Sequence, residues 1–282
     1  MAVRMDLFES PDYYQLDELL SEEHLMVRTA VRDYVKTSIS PIIEEYAQKA
    51  EFPLQIVKQL GDLGCFGPTV PVEYGGGGLD YISYGIMMQE LERGDSGVRS
   101  TASVQGSLVM YPIQAYGSEE QKKKYLVPLA QGMKDNELYI GAFLLSEPEA
   151  GSDATHQHTS AIDQGDHYMI NGRKWWSSGA GHPKCDFFIL MGKTDPSAEP
   201  YRQQSMVIVP RDAKGIEIVR FLPVFGYDHA PHGHFEVKLN NVRIPADHML
   251  VGEGCGFEIA QGRLGPGRIH HTMRNIATAE VA

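Results

Sequence analysis

Cysteine is scarce and unpaired in pattern: Cys65, Cys185 and Cys255 are odd in number and far apart in a chain of 282 residues. No Cys-x-x-Cys spacing occurs, so neither a thiolate zinc site nor a disulfide framework is indicated, and a reducing compartment is compatible. Positive charge is also in short supply. Lys and Arg number 25 against 37 Asp and Glu, giving a formal net charge of −12. That balance argues against a nucleic-acid partner, because phosphate binding needs clustered Lys and Arg. No apolar stretch approaches the roughly 20 residues that a membrane span requires. The opening, Met1-Ala-Val-Arg-Met-Asp-Leu-Phe-Glu-Ser, is too acidic and too short in its apolar run for a secretory signal or transit peptide. The expected location is therefore cytoplasmic, or the mitochondrial matrix if a transit peptide has been removed. Phosphate loops are missing as well: Gly254-x-Gly256 lacks a third glycine, and glycines 75 to 78 lack the Lys-Ser/Thr that would follow.

What is present is ordinary in bulk and informative in order. A hydrophobic content of 42% and a charged content of 22% suit a globular protein of one large domain or more. Ser21 can cap a helix whose Val27, Val31, Tyr34 and Val35 form one apolar stripe. Further helices are expected after Pro41, from Pro53 to Leu63, from Ser83 to Glu92, across Ser100 to Tyr116, and from the capping box Ser118-Glu-Glu-Gln121 towards Leu129. Near residue 137 the period becomes alternating. Strands are expected at Tyr139 to Ser146, Thr159 to Ile162, Tyr168 to Ile170, Phe187 to Met191, Ser205 to Val209, Ile216 to Phe221, His234 to Leu239 and Val242 to Ile244, with Asn171-Gly172 and Asn240-Asn241 as turns. Helical periodicity returns at Gly256 and runs to Ala282. The expected class is α+β and multi-domain: an N-terminal helical bundle over residues 1–136, a middle antiparallel β barrel or sandwich over 137–254, and the start of a C-terminal helical domain over 255–282.

Two runs carry the chemistry. Phe143-Leu-Leu-Ser-Glu-Pro-Glu-Ala-Gly-Ser152 reads as a strand that stops at Pro148 and turns through Gly151. Asn171-Gly-Arg-Lys-Trp-Trp-Ser-Ser-Gly-Ala-Gly181 leaves a tight turn and sets Trp176, Ser177 and Ser178 on another strand. Small hydroxyls on one strand end and an indole on the other suit a flat, hydrogen-bonding aromatic ring such as an isoalloxazine. Taken singly, Ser146, Trp176 and Ser178 read as ordinary strand residues. Eleven histidines invite a metal reading, and His156-x-His158 and His232-x-His234 would each share a strand face, but no third ligand is identifiable and no metal is expected.

The two runs together resemble the flavin-cradling signatures of the acyl-CoA dehydrogenases, whose order of domains matches the order above. Glu90-Leu-Glu-Arg-Gly-Asp-Ser-Gly-Val-Arg-Ser100, Ser103-Val-Gln-Gly-Ser-Leu-Val109 and Tyr116-Gly-Ser-Glu-Glu-Gln121 are similar to the glutaryl-CoA dehydrogenase branch. Lys174 to Gly181, Val224-Phe-Gly-Tyr227 and Gly262-Arg-Leu-Gly-Pro-Gly-Arg-Ile-His-His271 resemble instead the branch fused to phosphotransferase-like domains.

The resemblance implies an FAD-dependent enzyme that oxidises an acyl-CoA at its α,β bond, passes electrons to an electron-transferring flavoprotein and forms homo-oligomers, commonly tetramers. It implies cofactor contacts from Phe143, Leu145, Ser146, Gly151, Ser152, Trp176, Ser177 and Ser178, with Leu145 and Ser146 at the pyrimidine edge and Ser178 near N5. It implies substrate contacts from Ser152, Gly265 and Arg268, and a distal carboxylate held by Arg99, Ser100 and Ser103, followed by loss of carbon dioxide. Taken alone, Arg99 reads as a helix-surface charge and Ser152 as a turn or cap residue; both readings stay open. The glutamate that takes the α-proton in this family is expected beyond Ala282, since His270 and His271 stand where one branch places an earlier base. An FAD- and acyl-CoA-binding fragment or assembly protein without catalysis is the alternative.

Overall fold

The structure, a computed structural model, describes residues 12–49, 51–135, 137–226 and 233–282. The opening segment, the boundary residue Asn136, Tyr227 and His232 lie outside the described residues, as do the side chains of Pro266 and Ile269.

The first helices are α1 (Glu22–Tyr34), α2 (Ile43–Gln48), α3 (Gln55–Asp62), α4 (Tyr81–Gly94) and α5 (Ser96–Ser103). A π-helical stretch, Val104–Met110, joins α5 to α6 (Tyr111–Tyr116), and α7 (Glu119–Gln131) follows. The start signals work as the sequence suggests. Ser21 and Ser118 each accept the backbone N–H three residues on, and Gln121 returns the bond to Ser118, closing the box. Val31 and Val35 of the expected stripe are buried. The wide π turn is where the helix departs from the plain pattern, and such turns often accompany functional sites.

The strands are β1 (Met133–Lys134), β2 (Glu137–Leu138), β3 (Ile140–Leu144), β4 (Ser160–Asp163), β5 (His167–Ser178), β6 (Cys185–Lys193), β7 (Gln204–Pro210), β8 (Ile216–Phe221) and β9 (His234–Pro245). Seven of them form one curled sheet in the order β3-β6-β4-β5-β9-β8, with β7 on β6. The sheet is mixed rather than wholly antiparallel, because both β3 and β4 run parallel to β6. Two expected turns are bulges inside long strands instead. At Gly172 a Cβ would sit 2.3 Å from Thr159 Oγ1, so glycine is needed for a close approach within the sheet. At Asn241 (φ 53°) the extra residue lies on β9, and the ladder resumes beyond it.

Alternation on β6 explains the layers. Phe187, Ile189 and Met191 face the helices and join their core, while Phe188 and Leu190 face the interior of the sheet with Val207, Val209 and Val237. The long helix α8 (Gly256–Val281) then crosses α4 and β7, burying Ile259 and Ala260 in the helical core. No helix among the described residues is long and apolar enough to cross a membrane.

Candidate functional site

The ends of β3 and β5 are fastened together by a buried lysine. Lys174 has no solvent exposure, and its ammonium donates to the Leu145 carbonyl (3.0 Å), Glu147 Oε1 (2.7 Å) and Gln157 Oε1 (2.7 Å). The Trp175 N–H donates to the Ser146 carbonyl at 3.0 Å. Glu147 also accepts the backbone N–H groups of His158 and Thr159. Such full satisfaction is the condition under which a buried ion pair is tolerated. Burial pushes the Lys174 ammonium down to about 8. Burial alone would raise Glu147, but Lys174 and its hydrogen-bond donors outweigh it and hold the carboxyl below its usual range.

This fastening supports a bulge that turns an indole outward. Lys174 pairs with Val237 and Ser177 with Phe235, so three steps on β5 oppose two on β9. Trp176 absorbs the difference with φ 52°, an unfavourable value for a bulky residue, and its side chain is left 42% exposed. Ser177 turns inward and is buried, its hydroxyl without a partner among the described residues. Ser178 turns back, its Oγ 2.8 Å from His234 Nδ1.

Two adjoining spaces open here. A crevice of about 110 Å3 is bounded by Phe143, Leu145, Ser146, Trp176, Ser178 and Arg263. A cavity of about 270 Å3 is bounded by Arg99, Ser100, Ser103, Arg268, Arg274, His270 and His271. Leu108, Ser178 and Arg263 border both. The crevice fits a flavin ring in its chemistry: an exposed indole, two hydroxyls and a cation whose Nε is buried without a partner. Gly151 and Ser152 are not brought to either space; they are exposed and line a separate depression with Asp153, His156 and Lys193. Gly265 lies on α8 outside the residues that bound the cavity.

The cavity is cationic. Arg99, which alone reads as a surface charge, is only 2% exposed, because it lies on the buried stripe of α5 with Ala102 and Ser103. Its Nε donates to Glu92 Oε2 at 2.6 Å and its Nη1 to Ser103 Oγ at 2.8 Å, while Nη2 is buried without a partner among the described residues. Arg274 Nε approaches the same Glu92 at 3.5 Å. None of the described residues bounding the cavity is a carboxylate. Burial, reinforced by His271 and the surrounding arginines, holds His270 down to about 3, so it is neutral at pH 7.

Sequence reasoning missed Lys174, Glu147, His234, Arg263 and Arg274 as individual residues. A signal existed for two of them. Lys174 shares strand parity with buried Tyr168 and Ile170, and Arg263 follows buried Ile259 by four residues and Ala260 by three. A cation at a core-facing position needs a partner. Among the described residues no group of three or more His, Cys, Asp or Glu is placed to hold a metal ion.

Comparison with known proteins agrees with this architecture. Residues 21–133 match the acyl-CoA dehydrogenase N-terminal domain and residues 142–242 the acyl-CoA dehydrogenase middle domain. The chain belongs to the acyl-CoA dehydrogenase family, whose cofactor is FAD. It is 39% identical over 276 residues to acyl-CoA dehydrogenase family member 11 of Mus musculus, covering 90% of this chain and 34% of that protein. It is 41% identical over 244 residues to the probable acyl-CoA dehydrogenase FadE2 of Mycobacterium tuberculosis, covering 86% of this chain and 56% of that one. A solved glutaryl-CoA dehydrogenase of Mycobacterium smegmatis in complex with FADH2 superposes with a TM-score of 0.84 at 32% identity, over 95% of this chain and 65% of that chain. The chain thus spans little more than half, or less, of the length of these curated relatives.

Proposed function

We propose that this chain holds FAD in the crevice between the β3 and β5 ends and takes part in the α,β-dehydrogenation of an acyl-CoA thioester lying in the adjoining cavity. The observation that carries the reading is the exposed Trp176 on its bulge, with the Ser178 hydroxyl shared between crevice and cavity. When bound, FAD supplies the hydride acceptor; the protein fixes distance and polarity. Leu145 and Ser146 would hold the pyrimidine edge, Trp176 would pack against the ring and Ser178 would lie beside N5. Phe143 closes the floor of the crevice. Residues 1–136, 137–254 and 255–282 are the units we assign to the helical, β and second helical parts.

The acyl group we favour carries a distal carboxylate, as glutaryl-CoA does, with carbon dioxide leaving after oxidation. Arg99 Nη2, Ser100 and Arg274 offer donors for it, with Ser103 orienting Arg99 and able to join them by turning its hydroxyl from the Ser100 carbonyl, and bidentate recognition of a carboxylate is what arginine does well. Arg268 would meet the CoA portion, with Gly265 beside it. Gly151 and Ser152 would serve the cofactor or pantetheine only if the ligand extends to their separate depression. Electrons would pass to an electron-transferring flavoprotein, with the full enzyme a homo-oligomer in the cytoplasm. A second reading, ligand binding without turnover, is favoured by the lack of any carboxylate among the described residues bounding the cavity.

The test is the visible absorbance of the FAD-loaded protein titrated with glutaryl-CoA and with the uncharged five-carbon acyl-CoA. Bleaching by glutaryl-CoA at the lower concentration supports the dicarboxylate reading; preference for the uncharged acyl group rejects it. A spectral shift without bleaching selects the binding-only reading, and failure to take up FAD rejects both.

A further inference from the structure

The cations at this site fall into two kinds. Lys174 has Glu147, and Arg99 has Glu92. Arg263 has no ion pair or hydrogen bond among the described residues: its Nε is buried without a partner, and its guanidinium lies over the Phe143 ring, 4.8 Å from the centroid. Its helix is fixed beneath it by the buried Ile259 and Ala260. It borders both spaces, yet among the described residues bounding the crevice it is the only charged one, whereas the cavity has Arg99, Arg268 and Arg274 besides.

A half-buried cation with no partner among the described residues, held in place over an aromatic ring, is suited to stabilise negative charge that arrives during a reaction, because its orientation is set beforehand. A substrate carboxylate has three other arginines to meet in the cavity. The crevice offers only this one. We propose that Arg263 is the counter-ion for the negative charge that reduction places on FAD, and that it thereby sets the reduction potential of the bound cofactor. The proposal rests on the FAD reading above and deepens it. The balance is simple. The substrate loses a hydride from Cβ, which is two electrons and one proton, and its α-proton goes to a base. A neutral ring that accepts the hydride gains one negative charge, with no second proton to cancel it. A fixed cation beside the ring favours that reduced form over the neutral oxidised one, which is the differential stabilisation that matters.

Sulfite tests this without substrate, since it adds to the same ring nitrogen and leaves the same negative charge. In the FAD-loaded chain, Arg263→Gln is expected to hold oxidised FAD within about threefold of the parent affinity, and to weaken sulfite binding at least tenfold. The two-electron potential should fall by about 30 mV for each tenfold. Arg263→Lys, which keeps the charge, is expected to restore most of both. A Gln variant that holds FAD with unchanged potential and sulfite affinity overturns the proposal. If Gln abolishes FAD binding, the Lys variant decides: the parent potential supports the proposal and a lowered one overturns it. If the parent itself takes up no FAD, it is the underlying reading that fails.

Discussion

On the strand side of the site, Lys174 uses all three of its donors on Leu145, Glu147 and Gln157; on the helix side, Arg263 uses none on its neighbours and lies over an aromatic face. Lys174 is fully removed from water, whereas Arg263 is half-buried, with its Nε shielded and without a partner among the described residues. The first belongs to a closed network that defines where two strand ends meet. The second is an open demand for negative charge. The contrast separates what builds the site from what the site is built to receive, and it makes opposite predictions for removal of the two charges.

Breaking the closed network should have the largest effect. Lys174→Met leaves the Glu147 carboxylate buried with only the backbone N–H groups of His158 and Thr159, and the expected loss is about 3–5 kcal/mol. The chemical-denaturation midpoint reads it. The double variant Lys174→Met with Glu147→Leu should recover only part, because those two N–H donors are then orphaned at about 1–3 kcal/mol each. Arg263→Met removes a charge that has no partner, so its folded state is expected to be no less stable than the parent. If Arg263→Met destabilises the protein as Lys174→Met does, the contrast fails.

Acidity probes the helix side next. The unfolded chain protonates His270 near its ordinary value of 6.5, whereas the folded chain resists until about 3. Between those limits the unfolded state binds more protons, so stability is full above pH 6.5 and falls as the pH drops, by up to ~1.4 kcal/mol per unit. His270→Asn should flatten this slope, as read by melting temperature at constant ionic strength. Lys174 gives a second window of the same sign. Its folded value is near 8 against 10.5 unfolded, so stability should rise from pH 8 towards 10.5. Absence of the acid slope would mean that water reaches His270.

The fold was legible where a local rule sufficed, and the site was legible only in part. Ser21 and Ser118 announced their helices, and β6 and β7 stood out as short apolar runs bounded by turn residues. Asn171-Gly172 and Asn240-Asn241 look locally like turns, but β5 and β9 continue through them because their pairing outweighs the turn preference. The parallel pairing of β3 with β6 is a long-range matter on which no residue pattern bears. Phe143, Leu145, Ser146, Trp176 and Ser178 were readable as a crevice because family signatures mark strand ends. Gly151 and Ser152 follow Ser146 closely in sequence, yet the turn closed between Glu147 and Ala150 carries them elsewhere. Arg263 carries the weaker signal of its spacing from Ile259 and Ala260, and the packing of α8 against α4 and β7 turns that face inward.

The smallest effect, and the finest probe of the strand side, concerns the bulge at Trp176. A non-glycine residue held at φ 52° carries strain of about 1–3 kcal/mol. The indole recovers little by packing, since it is 42% exposed and meets Trp175 and His234 only at ring separations of 6.1 and 5.9 Å. Trp176→Gly should relieve most of the strain while freeing the unfolded chain, leaving net stability within about 1 kcal/mol of the parent. Trp176→Ala keeps the strain and loses the packing, so it should be the less stable of the two. Both should lose FAD affinity alike, because both lack the indole. Calorimetry of the ligand-free variants and FAD titration together separate the two contributions. An alanine variant more stable than the glycine one would mean that Trp176 does not hold its left-handed conformation in solution, and the closed network of Lys174 would then not be what turns the indole outward.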